Sequence, residues 1–180
     1  VRQVTDEDIG LKVLREAPAD AAQIIDIVAV HGIGALPDDS WCKNVSKAEN
    51  PRWVNWLDAE DMLPAVAPHA RIMHYGYQSQ WFGEGAMRQK ASTVAQRLLL
   101  ALRRRREDCP LPPLLFIAHC FGGQVVLKTL LEAQQSASEW PGTSASTTSF
   151  IFFGTPFCGA EGMSQVEMLA AAQREYSQDE

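Results

Sequence analysis

The sequence predicts an α/β fold, a mainly parallel sheet flanked by helices. Short apolar runs of strand length, such as residues 25–30 and 150–153, alternate with longer stretches whose apolar residues recur at helical spacing. Each strand-like run stops at a turn of small residues: His31-Gly32-Ile33-Gly34, Gly76, Cys120-Phe121-Gly122-Gly123 and Gly154-Thr155-Pro156. In a parallel sheet the carboxyl ends of the strands share one edge, and ligand sites lie beyond it. Those turns are therefore expected to meet.

Along the chain, Gly10-Leu11-Lys12-Val13-Leu14 reads as a short edge strand after a polar, acidic start. Residues Ile24 to Val30 are nearly all apolar and rich in β-branched side chains, as a strand buried on both faces requires. A loop carrying Trp41 follows, then a helical pattern from about Pro51 to Leu63 with Trp53, Trp56 and Leu57 on one side. Ala70 to Tyr75 is a third strand, and Tyr77 to Gly85 an aromatic, glycine-punctuated loop. From Met87 to Asp108 the residues Ala91, Val94, Ala95, Leu98, Leu99 and Leu102 mark the apolar face of a helix, which Cys109-Pro110 ends. Leu114 to Ala118 is a buried strand, and Gln124 to Gln135 a largely buried helix. Ser136 to Ser149 reads as an exposed Ser/Thr-rich connection, Phe150 to Phe153 as a central strand, and about Ser164 to Tyr176 as a last helix.

With 180 residues, the chain is the size of one domain and long enough to bury a core. An apolar share of 46%, including five Trp and seven Phe, excludes a disordered chain. The net charge of −6 argues against broad nucleic-acid binding, which needs a basic surface. Four cysteines at wide spacings, with no Cys-x-x-Cys pair, suggest neither a zinc site nor a disulfide framework. No cofactor is implied, because neither a phosphate-cradling lysine loop nor a metal-ligand cluster is present. The N-terminus lacks a secretory pattern, and no apolar run approaches the ~20 residues that span a bilayer. An intracellular, cytoplasmic setting is the expectation. Val1 is not a methionine and Glu180 ends a helical pattern without a stop, so both ends read as cut from something longer.

The most informative segment is Leu114-Leu115-Phe116-Ile117-Ala118-His119-Cys120-Phe121-Gly122-Gly123. An apolar strand passes through a small residue and a polar pair into a double glycine that opens a helix. This is the outline of a nucleophile elbow, a strained strand-to-helix turn that exposes one reactive side chain, with Cys120 in that place. Small neighbours are needed on either side, and Ala118 and Gly122 supply them. Acyl transfer also requires backbone N–H groups aimed at the developing oxyanion. The residue after the nucleophile, Phe121, is one expected donor, at a helix N-terminus. Ile33 is the other, in a turn where Gly32 allows close backbone approach and His31 orders the loop through its ring nitrogens.

Taken together, these segments resemble the α/β-hydrolase domain of the lipase-like, serine-esterase-like group. Such domains stand at the N-terminus of fungal NOD-like receptor proteins carrying NACHT or NB-ARC modules. The chain is also similar to the serine-active-site-containing proteins of mitochondria and endoplasmic reticulum. The matching stretches are residues 10–14, 25–34, 70–77, 117–131 and 150–156, in the family's order. The resemblance implies an esterase-type site taking an ester or lipid-like small molecule, and protein partners reached through further C-terminal modules. It also allows association with a mitochondrial or reticular membrane, with no transmembrane segment. It implies that the triad's acid and histidine follow on later strands, so residues 1–180 are expected to be a partial domain. The family usually has Gly-His-Ser at the elbow, where this chain has Ala118-His119-Cys120. After Thr155-Pro156 it has His-Arg-Gly, where this chain has Phe157-Cys158-Gly159. Thiolates attack carbonyls well and are favoured at helix N-termini, so cysteine is chemically suited to the position.

The remaining chemistry-bearing residues have plainer readings. His119 is expected to pack sideways against the sheet, and His69 and His74 to be structural or solvated. Cys158 follows the strand next to the elbow, but a redox pair with Cys120 is disfavoured in a reducing compartment. Arg103 to Arg106 reads as a solvated helix end whose cations complement the dipole. Tyr77, Trp81 and Phe82 are candidates either for an acyl pocket or for packing over the sheet edge. Two functions compete: an acyl hydrolase using Cys120, and a catalytically inactive pseudo-hydrolase serving as an interaction module of a receptor-type protein.

Overall fold

The computed structural model describes residues 4–46, 51–79, 91–107 and 112–157. In chain order the elements are β1 (Gly10–Arg15), β2 (Ile25–Val30), β3 (Cys42–Asn44), β4 (Trp53–Asn55), α1 (Leu63–Val66), β5 (Ala70–Gly76), α2 (Ala91–Arg105), β6 (Leu114–His119), α3 (Phe121–Gln135), α4 (Thr143–Ser146) and β7 (Thr147–Phe153). Five strands form one sheet in the order β1-β5-β2-β6-β7. The β5, β2, β6 and β7 strands are mutually parallel, and β1 runs antiparallel to β5. The fold is α/β with a mostly parallel central sheet.

Strand order explains where a site can form. From β2 the chain crosses outward to β5, then returns to place β6 on the other side of β2. The carboxyl ends of β2 and β6 thus flank the switch point, where the crossing connections leave a crevice.

The sheet divides two apolar layers. Val28, Val30, Met73, Tyr75, Leu114, Phe116 and Ala118 meet Val94, Leu98 and Leu102 of α2 and Val125 and Val126 of α3. The opposite face packs Ile27, Ala29, Ile72 and Ile117 against Trp41 and Leu57. Alternate residues of β2 and β6 face opposite layers and both layers are apolar, which is why those strands read as continuous apolar runs.

At the entry edge of the sheet, Asp26 is fully buried and takes a bidentate pair from Arg71, Nε to Oδ1 at 2.8 Å and Nη2 to Oδ2 at 2.9 Å. Arg106 donates to the same carboxylate from Nε at 2.9 Å, and to Ser146 Oγ and the Pro112 carbonyl. This corrects the reading of Arg103–Arg106 as a solvated end: Arg103, Arg104 and Arg105 are exposed, whereas Arg106 is buried. Because an arginine cannot shed its charge, burial requires a buried anion, and Asp26 is that anion.

Two further expectations are corrected. The helix expected over 51–63 is instead β4, paired antiparallel with β3, followed by turns and the short α1. The Asn55 side chain accepts the Leu57 N–H at 3.0 Å, a local turn that competes with helix, while Trp53 and Val54 favour a strand. The connection expected to be exposed over 136–149 buries Trp140, Thr143 and Ser146, and β7 begins within it at Thr147. Phe150 to Phe153 forms a strand as expected, but within the described sheet it lies at the edge, with Phe150, Ile151 and Phe153 exposed. The helix expected over 164–176 lies outside the described residues.

Candidate active site

Where β6 ends and α3 begins, one residue carries the whole change of direction. Cys120 has φ 51° and ψ −122°, and it is the one non-glycine residue with positive φ among the described residues. Such a conformation costs about 1–3 kcal/mol and persists only where the surroundings hold it. The Cys120 N–H donates to the Phe153 carbonyl at 2.8 Å, extending the β6–β7 ladder by one bond. Its carbonyl accepts the Gly123 N–H at 3.1 Å, starting the helix. Gly122 seats the first turn of α3 on the end of β2, since a Cβ there would stand 2.3 Å from the Val30 carbonyl oxygen.

The turn after β2 lies directly against this bend. A Cβ on Gly32 would fall 2.9 Å from Cys120 Cβ and 3.1 Å from His119 Nδ1. Fully buried His31 places Nδ1 2.7 Å from the Gly32 carbonyl. A carbonyl only accepts, so Nδ1 carries the proton. The peptide joining Gly32 to Ile33 is planar, so its N–H points opposite to the carbonyl that His31 holds. Burial pushes the His31 imidazole down to about 4, and it stays neutral at ordinary pH.

These contacts bring together the residues singled out in the sequence. Cys120 is a half-buried free thiol at the N-terminus of the fifteen-residue helix α3. Phe121 is the first residue of that helix, Gly32 and His119 border the thiol's turn, and Ile33 follows Gly32 in the chain. Among the described residues, no backbone carbonyl accepts the N–H of Ile33 or of Phe121. A half-buried thiol on a strained backbone, the N-terminus of α3 and the turn after β2 meet at this edge of the sheet.

Other expected residues are placed differently. His119 ends β6 exposed rather than packed against the sheet, its ring lying against the Gly32 turn, where a Cβ would stand 3.1 Å from Nδ1. His69 is exposed. His74 is buried on β5, 3.4 Å from the Pro37 carbonyl and 3.6 Å from Asp38 Oδ1, and burial lowers its basicity. Tyr77 is buried and stacks on His31 and Tyr75, packing over the sheet edge. Trp81, Phe82 and Cys158 lie outside the described residues, as does any pairing of Cys158 with Cys120. Among the described residues no cluster of His, Cys, Asp or Glu could hold a metal ion, and no helix is long and apolar enough to cross a membrane. An open groove between α2 and α3, lined by Gln96, Arg97, Leu100, Glu132 and Trp140, includes none of the residues at the elbow.

The sequence reading missed Phe153 as the partner of the Cys120 amide. Its signal was the expected adjacency of two parallel strands, which places a carbonyl of one opposite an amide of the other. It also missed Tyr77 as a neighbour of His31. The aromatic, glycine-punctuated context of Tyr77 pointed to a loop rather than to a buried contact.

No protein-family model and no curated protein matches the chain. Among solved structures it is similar to an acetylxylan esterase, at 12% identity and a TM-score of 0.45. The match covers 73% of this chain and 63% of the esterase, so this chain spans less than two thirds of that protein's length.

Proposed function

We propose that this chain carries an α/β-hydrolase-type acyl-transfer site with Cys120 as the nucleophile. The Cys120 thiolate adds to the carbonyl carbon of a carboxylic ester or thioester, and the carbonyl electrons move onto oxygen. The N–H groups of Ile33 and Phe121 receive that oxyanion, which then collapses, expels the alkoxide or thiolate and leaves an acyl-thioester on Cys120. The observation that carries this reading is the positive φ of Cys120 on a strand-to-helix bend abutting Gly32. A thiol on a backbone kept in a costly conformation at a switch point supports a reactive rather than a packing role.

The test is acylation by an activated ester such as p-nitrophenyl acetate, read by intact mass and peptide mapping. One acetyl group on Cys120, lost in Cys120→Ala, is the expected result. A folded protein that takes no acetyl at Cys120 overturns the reading.

A second reading is favoured by one observation. Among the described residues no hydrogen bond joins Cys120 Sγ to an imidazole, whereas turnover needs a base. In that reading the domain is a catalytically inactive hydrolase fold, an interaction module of a larger receptor-type protein. Cys120→Ala then leaves partner binding unchanged. In the first reading the base comes from outside the described residues.

A further inference from the structure

The turn that supplies Ile33 does not hold itself. Residues 77–79, which leave the end of β5, run beside it and make a hydrogen bond at each of several points. The Tyr77 N–H donates to His31 Nε2 at 3.2 Å, and the Tyr77 hydroxyl donates to the His31 carbonyl at 2.8 Å. The Gly34 N–H donates to the Ser79 carbonyl at 2.8 Å, and Ser79 Oγ donates to the Ala35 carbonyl at 2.7 Å. The Tyr77 ring also stacks on the His31 imidazole, with centroids 4.4 Å apart and planes 16° apart. Tyr77 and His31 are both buried, so water does not compete for the two bonds between them.

The two ring nitrogens of His31 are thereby given different jobs. Nε2 faces a backbone N–H and must accept; Nδ1 faces a carbonyl and must donate. One neutral tautomer satisfies both, and rotating the ring by half a turn satisfies neither. We propose that Tyr77 is a positioning residue of the acyl-transfer site: it locks His31 so that the Gly32 carbonyl stays turned to the ring and the Ile33 N–H stays turned the other way, toward the oxyanion. This rests on the acyl-transfer reading above and adds to it the part that sets the donor's direction before substrate arrives. A donor fixed in advance needs no reorganisation as charge develops, which is where such groups gain their effect.

Two measurements on the full chain separate the lock from the chemistry. The first is the nitrogen NMR signature of the His31 ring at neutral pH. Wild type is expected to show a single neutral tautomer protonated at Nδ1. Tyr77→Leu keeps the backbone N–H but removes the stack and the hydroxyl bond that hold that N–H against the ring, and is expected to show a mixture or the Nε2-protonated form. A wild-type ring protonated at Nε2 overturns the proposal.

The second compares two reactions of Cys120 in the same variants. Acylation by p-nitrophenyl acetate generates an oxyanion; alkylation by iodoacetamide does not. Tyr77→Leu is expected to slow acylation about ten- to a hundredfold while alkylation is unchanged, the upper part of that range approaching loss of an oxyanion donor. Both variants keep the backbone N–H; Tyr77→Phe also keeps the ring stack and loses only the hydroxyl bond, so it is expected to fall between Leu and wild type, and it carries the comparison if Tyr77→Leu fails to fold. Equal acylation in wild type and in both variants overturns the proposal. If wild type is never acylated, the acyl-transfer reading fails by itself, and the tautomer measurement still decides whether Tyr77 locks the ring.

Discussion

Gly32 lies so close to Cys120 that a methyl group on it would stand 2.9 Å from Cys120 Cβ. This contact joins the carboxyl ends of β2 and β6 at the switch point and sets the Gly32 backbone directly against Cys120 Cβ and the His119 ring. Gly32→Ala therefore has to push the turn and the elbow apart. The expected outcome is a folded protein destabilised by about 1–3 kcal/mol, the usual cost of overpacking. Acylation of Cys120 is expected to fall further than its alkylation, because the proposed donor at Ile33 moves with the turn. Urea unfolding and parallel acylation and alkylation rates check this.

The backbone of residue 120 is expected to prefer glycine. Glycine adopts positive φ without a Cβ penalty, whereas alanine keeps the penalty that cysteine has. Cys120→Gly is therefore expected to unfold with a free energy about 1 kcal/mol above Cys120→Ala. Equal stabilities in denaturant titration would mean that the bend is relaxed in solution.

Asp26 anchors the opposite edge of the sheet. Its carboxylate is fully buried between Arg71 and Arg106, whose side chains are 12% and 5% exposed. Replacing one partner of such a group leaves buried charge uncompensated, so Asp26→Asn is expected to destabilise by about 3–5 kcal/mol. Reactivity at Cys120 in the protein that remains folded is expected to match wild type, since the two sites lie at opposite ends of β2 and β6. Unfolding curves and thiol reactivity measured together test both halves.

Acid is expected to weaken the fold through His31. Burial holds its imidazole at about 4, below the ordinary 6.5, so as pH falls the unfolded chain binds this proton before the folded one does. The stabilisation from keeping His31 neutral is complete above pH 6.5 and is lost progressively as pH drops through the window down to about 4. The total for this group is about 3 kcal/mol. Unfolding free energies measured across that window are expected to decline less steeply in His31→Asn than in wild type.

The α/β architecture and the elbow were legible because they rest on local rules. Continuous apolar runs mark doubly buried strands, and the Gly122-Gly123 pair after Cys120 marks a helix that must start close to a neighbour. The order of turns at strand ends also pointed to one shared edge. What could not be read depends on distant partners. Arg106 looks like its exposed neighbours until Asp26, eighty residues away in sequence, is seen to bury it. Trp53, Trp56 and Leu57 repeat at a spacing that suits a helix, but the pairing of β4 with β3 and the Asn55 side chain decided the local structure. Tyr77 gave no sign of reaching His31, because stacking across two strand ends leaves no periodic trace in a sequence.

The proposed acyl-transfer site requires Cys120 to face groups prepared for an oxyanion. Cys42 in the same chain provides the reference: it is a half-buried free thiol whose Sγ donates to the Asp38 carbonyl. For each cysteine, the rate of acylation by p-nitrophenyl acetate is divided by the rate of alkylation by iodoacetamide, which cancels the fraction of reactive thiolate. A ratio at Cys120 about a hundredfold above that at Cys42 is the expected result, matching the contribution of an oxyanion donor. Equal ratios at the two cysteines would contradict it.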